Sequence, residues 1–358
     1  MKLLVPIKKK MVGVRFVWHM KFKGRFLFKK QLLYKDANEI LDEFGWMGDT
    51  RERKFMVADM IKMYVLYGYD FDEYLLYHFQ EKNLAERRCF VANWEHHGYI
   101  NKLNNPRNLD IFNNKWNTFV KYEKYFMRDM VFCNGMQCKE AFTTFLAAHP
   151  KFIIKPTDAN GGRDVKIVDA ANEKIMEDDL FQGLLSEYHG SFVAEELIVQ
   201  HPDMAKFHPQ SVNTARVTTI RKDSETCIIH PFVRFGQHGN SVDNGARGGI
   251  LCAVDVDTGR ITATADEYGH SYDVHPDSGE QIIGFVVPGW SEIKAFVREL
   301  AQVVPDNRYT GWDIAITEDG PVLVEGNARG QFIGWQITEQ EGFRDEIVGI
   351  LAEMKLRY

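Results

Sequence analysis

Three side chains late in the chain have the types and spacing to hold a cation. Asp313, Glu325 and Asn327 lie within TGWDIAITEDGPVLVEGNARGQ, residues 310–331. Trp312, Ile314 and Ile316 alternate with polar or small residues, the period of a half-buried strand. Glu318-Asp319-Gly320-Pro321 reads as a turn, and Pro321 to Glu325 as the returning strand. An antiparallel hairpin of this kind sets Asp313 beside Glu325 and Asn327. Hard cations such as Mg²⁺ take oxygen ligands, usually one or two carboxylates plus substrate phosphates. Arg329, two residues on, adds a fixed positive charge suited to a carboxylate or phosphoryl oxygen. An acidic surface hairpin offers the same pattern, so other parts of the chain have to decide.

Five of those parts carry charge that needs a partner. Lys151 to Pro156 is a short apolar strand ending in Lys155-Pro156, followed by a loop with Asn160, Gly161, Gly162 and Arg163 and a second strand from Val165 to Val168. Glycine lets the backbone approach closely and turn its N–H groups toward an anion. Lys155 can reach the same phosphates as a point charge; a plain Gly-Gly hairpin has the same pattern. Lys115 stands at the start of a helix, where a cation opposes the helix dipole unless it meets an anion. Phe192 to Val199 is an apolar strand holding Glu195 and Glu196. An adenine amino group would partner Glu195, with backbone groups near Leu197 and Ile198 reading the ring edge; the alternative is a sheet-edge acid facing water. Arg216, inside the strand Ser211 to Ile220, needs an anion or a carboxylate. The polar loop 239–249 is either an inert surface or a cover over substrate, with Arg234 or Arg247 meeting an anion.

Composition narrows the classes. The chain has 358 residues, 45% hydrophobic and 26% charged, which suits two or three domains with substantial cores. A net charge of −6 gives no basic field for nucleic acid. Cys89, Cys133, Cys138, Cys227 and Cys252 are odd in number and scattered, as in a reduced cytoplasmic compartment. No apolar run approaches the ~18 residues of a membrane span, and no signal-peptide core opens the chain. Met1 to Lys35 carries Lys and Arg but neither Asp nor Glu, with aromatics interleaved. That is either a solvated basic face or a peripheral contact with the inner face of a membrane.

The remaining periodicity predicts the scaffold. Residues 36 to about 100 read as helical, with helices opening at Asp36, spanning Arg51 to Tyr67, and continuing from Asp72 to Val91. Strands are expected at Cys227–Phe235, Ile250–Val256 and Arg260–Thr264, the last two joined by an Asp257-Thr258-Gly259 turn. Ser291 is the expected cap of a helix ended by Pro305, and Phe343 to Met354 a closing helix. His96, His97 and His201 show no metal spacing. Neither G-x-G-x-x-G nor G-x-x-x-x-G-K-[ST] occurs.

Taken in order, Lys115, Lys155 with its glycine loop, Glu195-Glu196-Leu197-Ile198, Arg216 and Asp313…Glu325-x-Asn327-x-Arg329 resemble the ATP-grasp superfamily. They are most similar to its sugar-transfer-associated branch, over about residues 110 to 358. The resemblance implies an α+β ATP-grasp fold, two lobes holding ATP between antiparallel sheets, behind a mainly helical N-terminal region. The domains would be 1–105, 106–191 and 192–358. It implies that Lys115, Lys155 and the Asn160–Arg163 loop hold the phosphates and that Glu195 to Ile198 reads adenine. Asp313, Glu325 and Asn327 would hold two Mg²⁺. Asn327 to Gln331 is similar to the N-P-R-x-Q run of biotin-carboxylase-like members, whose arginine faces the acyl substrate. Arg216 and Arg329 would then act on the reacting groups. The ribose partner is left between Asp203 and Gln200. The Rossmann-like domain that usually precedes this fold is not visible. The implied activity is an ATP-dependent carboxylate–amine ligase working through an acyl phosphate in surface-polysaccharide assembly. A phosphotransferase acting on a sugar or alcohol, or a non-catalytic nucleotide-binding partner of a glycan-assembly complex, would use the same residues.

Overall fold

A computed structural model describes residues 26–157, 164–173, 177–237, 248–331 and 333–356. The chain divides into two units. One comprises the described parts of Met1–Lys102, Tyr268–His270 and Ile333–Tyr358; the other comprises Leu103–Glu267 and Ser271–Phe332. The basic segment before residue 26, Asn160 to Arg163 of the glycine loop, and Arg247 lie outside the described residues. Among the described residues no helix is long and apolar enough to cross a membrane.

The first unit is helical. Thr50–Tyr67 starts at a reciprocal cap: the Asp49 carboxylate accepts from the Arg51 and Glu52 N–H groups, and Glu52 accepts from Asp49 N–H at 3.1 Å. Gly68 ends that helix in the left-handed region, φ 80°. The long helix expected from Asp72 to Val91 is broken into Phe71–Leu76, a 3₁₀ turn at Phe79–Glu81 and Leu84–Arg87. His78 takes φ 47°, and Asn83 caps a fresh start, accepting from Ala85 and Glu86 N–H. The aromatics freed by those breaks pack together, Tyr77 and Phe79 both against Phe90. Helices Ile333–Glu339 and Arg344–Glu353 belong to this unit. Buried Gln336 accepts from Val91 N–H and donates to Val91 O, and Arg344 pairs with Glu95 at 2.7 Å.

The second unit holds two antiparallel sheets. The smaller has the order β1 (Met130–Cys133), β4 (Phe192–Glu196), β2 (Lys151–Lys155), β3 (Lys166–Asp169). Phe152, Ile154, Phe192 and Ala194 turn to one face and pack on helices Lys139–Ala148 and Glu177–Glu187 through Phe142, Phe145, Phe181 and Leu184. Strand alternation sends Ile153, Lys155, Val193 and Glu195 to the other face.

The larger sheet follows the same plan. Its order is β10 (Gly320–Asn327), β9 (Tyr309–Thr317), β5 (Thr214–Arg221), β6 (Thr226–Phe235), β7 (Ile250–Val254), β8 (Ile261–Ala265). Ala215, Val217, Val233, Phe235, Trp312, Ile314, Ile316 and Leu323 share one core with Ile293, Val297 and Leu300 of helix Trp290–Val303. That helix is capped by Gly289, not by Ser291, whose hydroxyl donates to Glu292 at 2.8 Å. Thr214, Arg216, Arg234, Asp313, Glu325 and Asn327 occupy the opposite face. β1 and helices Lys139–Ala148 and Glu177–Glu187 lie where the sequence pattern indicated no element; too few residues alternate there to stand out.

Leu300 is fully buried in this core. Leu300→Ala should destabilise the protein by about 2–5 kcal/mol, read from urea melts; a change below about 0.5 kcal/mol would show that the helix does not hold the sheet.

Candidate functional site

The late hairpin places its acids through one irregularity. β10 pairs with β9 in register up to Leu323 opposite Ile314, then slips, so that Glu325 stands opposite Asp313 and Asn327 opposite Gly311. Had the register run on without a slip, Val324 would face Asp313, and Glu325 would face Trp312 and point into the core. The bulge therefore keeps Leu323 inside and delivers Glu325 to the polar face. The turn is Glu318-Asp319, with Gly320 at φ 117° already pairing Thr317.

Asp313 is buried and doubly held. Arg216, opposite it on β5, donates from Nε and from Nη2, the latter at 2.8 Å to Oδ2. Arg234 Nη2 lies 3.1 Å from Oδ1 and also donates to Thr214 Oγ1 at 2.6 Å. Burial alone would raise the Asp313 carboxyl; Arg216 and then Arg234 outweigh it and hold the pKa down. Arg216 thus meets a carboxylate, one of its two expected partners. Glu325 Oε1 lies 3.9 Å from Lys115 Nζ. The Asn327 side chain engages no partner among the described residues. Tyr309 OH donates to Gly330 O, and Asn104 Nδ2 to Ala328 O at 2.8 Å, fixing the backbone on both sides of exposed Arg329. A Cβ on Gly311 would sit 3.3 Å from Arg216 Cδ and 3.4 Å from Gly330 Cα, so glycine there makes room for the guanidinium.

The small sheet contributes a second buried carboxylate. Glu195 Oε2 accepts from Lys155 Nζ at 2.9 Å and from Arg128 Nη2 at 2.8 Å and Nε at 3.2 Å. Burial would push this carboxyl up; Lys155 and Arg128 reverse that and hold it at about 2. Burial likewise lowers the Lys155 ammonium, against the pull of Glu195. Arg128 ties the sheets together, since it holds Glu195 and its Nη1 donates to Leu323 O at 2.7 Å beside the β10 bulge, while Lys115, at the start of helix Lys115–Phe126, reaches toward Glu325. The Lys115 N–H donates to Thr157 O at 2.9 Å, anchoring the entrance of the glycine loop to the start of helix Lys115–Phe126.

Other expected residues fall elsewhere. β4 ends at Glu196, short of Val199, which leaves Leu197 and Ile198 outside the ladder. The Glu196 carboxylate lies on the opposite face from Glu195 and accepts from Asp129 N–H at 3.1 Å. Asp203 pairs with Lys206 at 2.5 Å, and Gln200 braces a loop through His208 O, Ser211 O and Asn213 N–H. Both ribose candidates therefore have local structural partners. Arg128 had no signal in the sequence. It is a single arginine between a helix end at Phe126 and β1, and only the fold gives it a carboxylate.

A family model described as sugar-transfer associated ATP-grasp matches residues 95–350. Solved structures with similar folds include the ATP-grasp ligase PsnB with a phosphomimetic precursor variant, Mg and ADP (16% identity, TM-score 0.44, 74% of this chain and 67% of that one). Another is D-alanine–D-alanine ligase from Helicobacter pylori (14%, 0.42, 68% and 61%). A third is N5-carboxyaminoimidazole synthetase from Staphylococcus aureus with ADP (10%, 0.44, 72% and 55%). The chain spans 55% of the last of these and 61% of the second, less than two thirds of each. No curated protein sequence matches the chain.

The Glu195 clamp has a pH signature. Its carboxyl is about 2 when folded against an ordinary 4.5, so between those values the unfolded state binds more protons and stability rises with pH. The contribution should be complete above about pH 4.5 and lost as pH falls toward 2. Melts of the wild type and Glu195→Gln from pH 2.5 to 5 check this; equal slopes would mean that Glu195 is not clamped.

Proposed function

Because the chain belongs to the sugar-transfer associated ATP-grasp family, we propose that its second unit binds Mg-ATP between the polar faces of its two sheets and uses it to join a carboxylate to an amine. The observation that carries this reading is the gathering of cations on the polar faces of the two sheets: Lys155 and Arg128 at Glu195, Arg216 and Arg234 at Asp313, and Lys115 3.9 Å from Glu325. Cations grouped in this way suit a polyanion such as the phosphates of ATP. Leu197 and Ile198, outside the ladder, offer backbone groups to the adenine edge. Glu195 Oε1, which takes part in none of the bonds to Oε2, can accept from the amino group.

The donor set also fits a hard cation. Glu325 and Asn327 present oxygen atoms on one face beside Asp313, and among the described residues no guanidinium closes off either of them. These three residues would hold Mg²⁺, which when bound neutralises charge on the phosphates. Asp313 would share its oxygens with Arg216 and Arg234.

The chemistry follows from what a carboxylate lacks. Its leaving group would be oxide, so one carboxylate oxygen first attacks the terminal phosphorus of ATP and ADP departs. The amine then attacks the acyl carbon, inorganic phosphate leaves, and the nitrogen gives up a proton. Lys115, Lys155 and Arg216 bring positive charge to the phosphoryl oxygens, and Arg329, exposed and without an ion pair among the described residues, is placed to meet the acyl oxygen. The family's description, sugar-transfer associated, supports a small sugar-linked acceptor; the proposal extends this to polysaccharide assembly in the cytoplasm, at the inner face of the membrane. The phosphotransferase reading uses the same residues and differs in product.

An acceptor screen tests the proposal. Free phosphate should appear only when a carboxylate and an amine are both present; phosphate retained on a single hydroxyl acceptor would favour the phosphotransferase. Glu325→Gln should lower turnover by about 10²-fold or more. Undiminished turnover would remove Glu325 from the site.

A further inference from the structure

Arg128, Glu195 and Lys155 form a buried cluster that does not balance. The side chains of Arg128 and Glu195 are 4% and 3% exposed, and that of Lys155 is 13% exposed. Two cations share one carboxylate, and both end on the same oxygen, Oε2. The further contacts of Arg128 are neutral: the carbonyls of Phe126 and Leu323 at 3.2 and 2.7 Å, and the Phe126 ring at 4.8 Å. The cluster therefore carries one net positive charge in a region where an uncompensated charge is expensive.

Consider the same cluster without the arginine. Lys155 and Glu195 would then make a closed, neutral pair. The ammonium would remain 2.9 Å from its carboxylate, and an incoming phosphate would have to compete with Glu195 for it. With Arg128 present, the guanidinium satisfies Glu195 from two nitrogens, and the positive charge of Lys155 is left over for a ligand. A fork of two N–H donors suits that task better than an ammonium would.

We propose that Arg128 is a positioning residue that neutralises Glu195 and so releases the charge of Lys155 to the phosphates of ATP. The inference rests on the Mg-ATP reading above and adds to it a residue that touches no substrate. The same side chain holds Leu323 O beside the β10 bulge. A purely structural role would run through that bond, so the test has to separate charge from tether.

Binding of ATP to the full chain, measured by calorimetry, does so with three variants. Arg128→Gln should weaken ATP about tenfold, because Lys155 falls back on Glu195. Arg128→Gln combined with Glu195→Gln removes the competing charge while the amide oxygen still offers the adenine amino group an acceptor, and ATP should bind at least about threefold more tightly than to Arg128→Gln alone. Arg128→Lys keeps the charge, loses the reach to Leu323, and should also stay within about threefold. This variant keeps the test open should Arg128→Gln fail to fold. Undiminished affinity in Arg128→Gln, no recovery in the double variant, or a tenfold loss in Arg128→Lys would each overturn the inference. Wild-type protein that binds no ATP would instead remove the functional reading on which it stands.

Discussion

Two buried carboxylates govern the ATP-grasp unit. Glu195 sits on the polar face of the small sheet and Asp313 on that of the large one, and each is held by two cations. Ionised acids do not stay buried without such partners, because desolvation costs more than any single contact returns. The requirement works in both directions. It fixes Lys155, Arg128, Arg216 and Arg234 in place before a ligand arrives, and preorganised charge is what phosphoryl and acyl transfer need. It also sets the architecture: each sheet has one helix-covered face, so the polar residues of its strands collect on the other.

The large sheet shows how finely that placement depends on backbone detail. A slip of one residue in the ladder at Val324 puts Glu325 on the face of Asp313 and not on the core face. Two glycines, Gly311 and Gly330, let the end of the hairpin approach Arg216. Neither feature involves a reactive group, yet both decide whether the reactive groups meet.

Much of this was legible in the sequence, for identifiable reasons. The strand pattern of residues 310–327 alternates strongly, so the hairpin and the neighbouring acids could be read directly. Lys155, Arg216 and Glu195 stand out because charge in or at the end of an apolar run demands a partner, and Lys115 because a cation at a helix start opposes the dipole unless it meets an anion. What could not be read was the identity of those partners. For Glu195 the sequence offers adenine as a partner but gives no sign of Arg128 and Lys155, which hold its Oε2 and come from elements that meet only in the folded sheet. Glu196, one residue on, turns to the opposite face, as a period of two requires. The helical region failed where the backbone departs from helix without proline or glycine, at His78, and where short segments such as β1 have too few residues to show a period.

The account comes down to one shared ligand spanning both sheets, and one structure tests it most directly. A crystal of the full chain with Mn²⁺ and a non-hydrolysable ATP analogue should place an anomalous peak at Glu325 and Asn327 and the phosphates against Lys115 and Lys155. Manganese bound elsewhere, or a nucleotide whose phosphates touch only one of the two sheets, would contradict it.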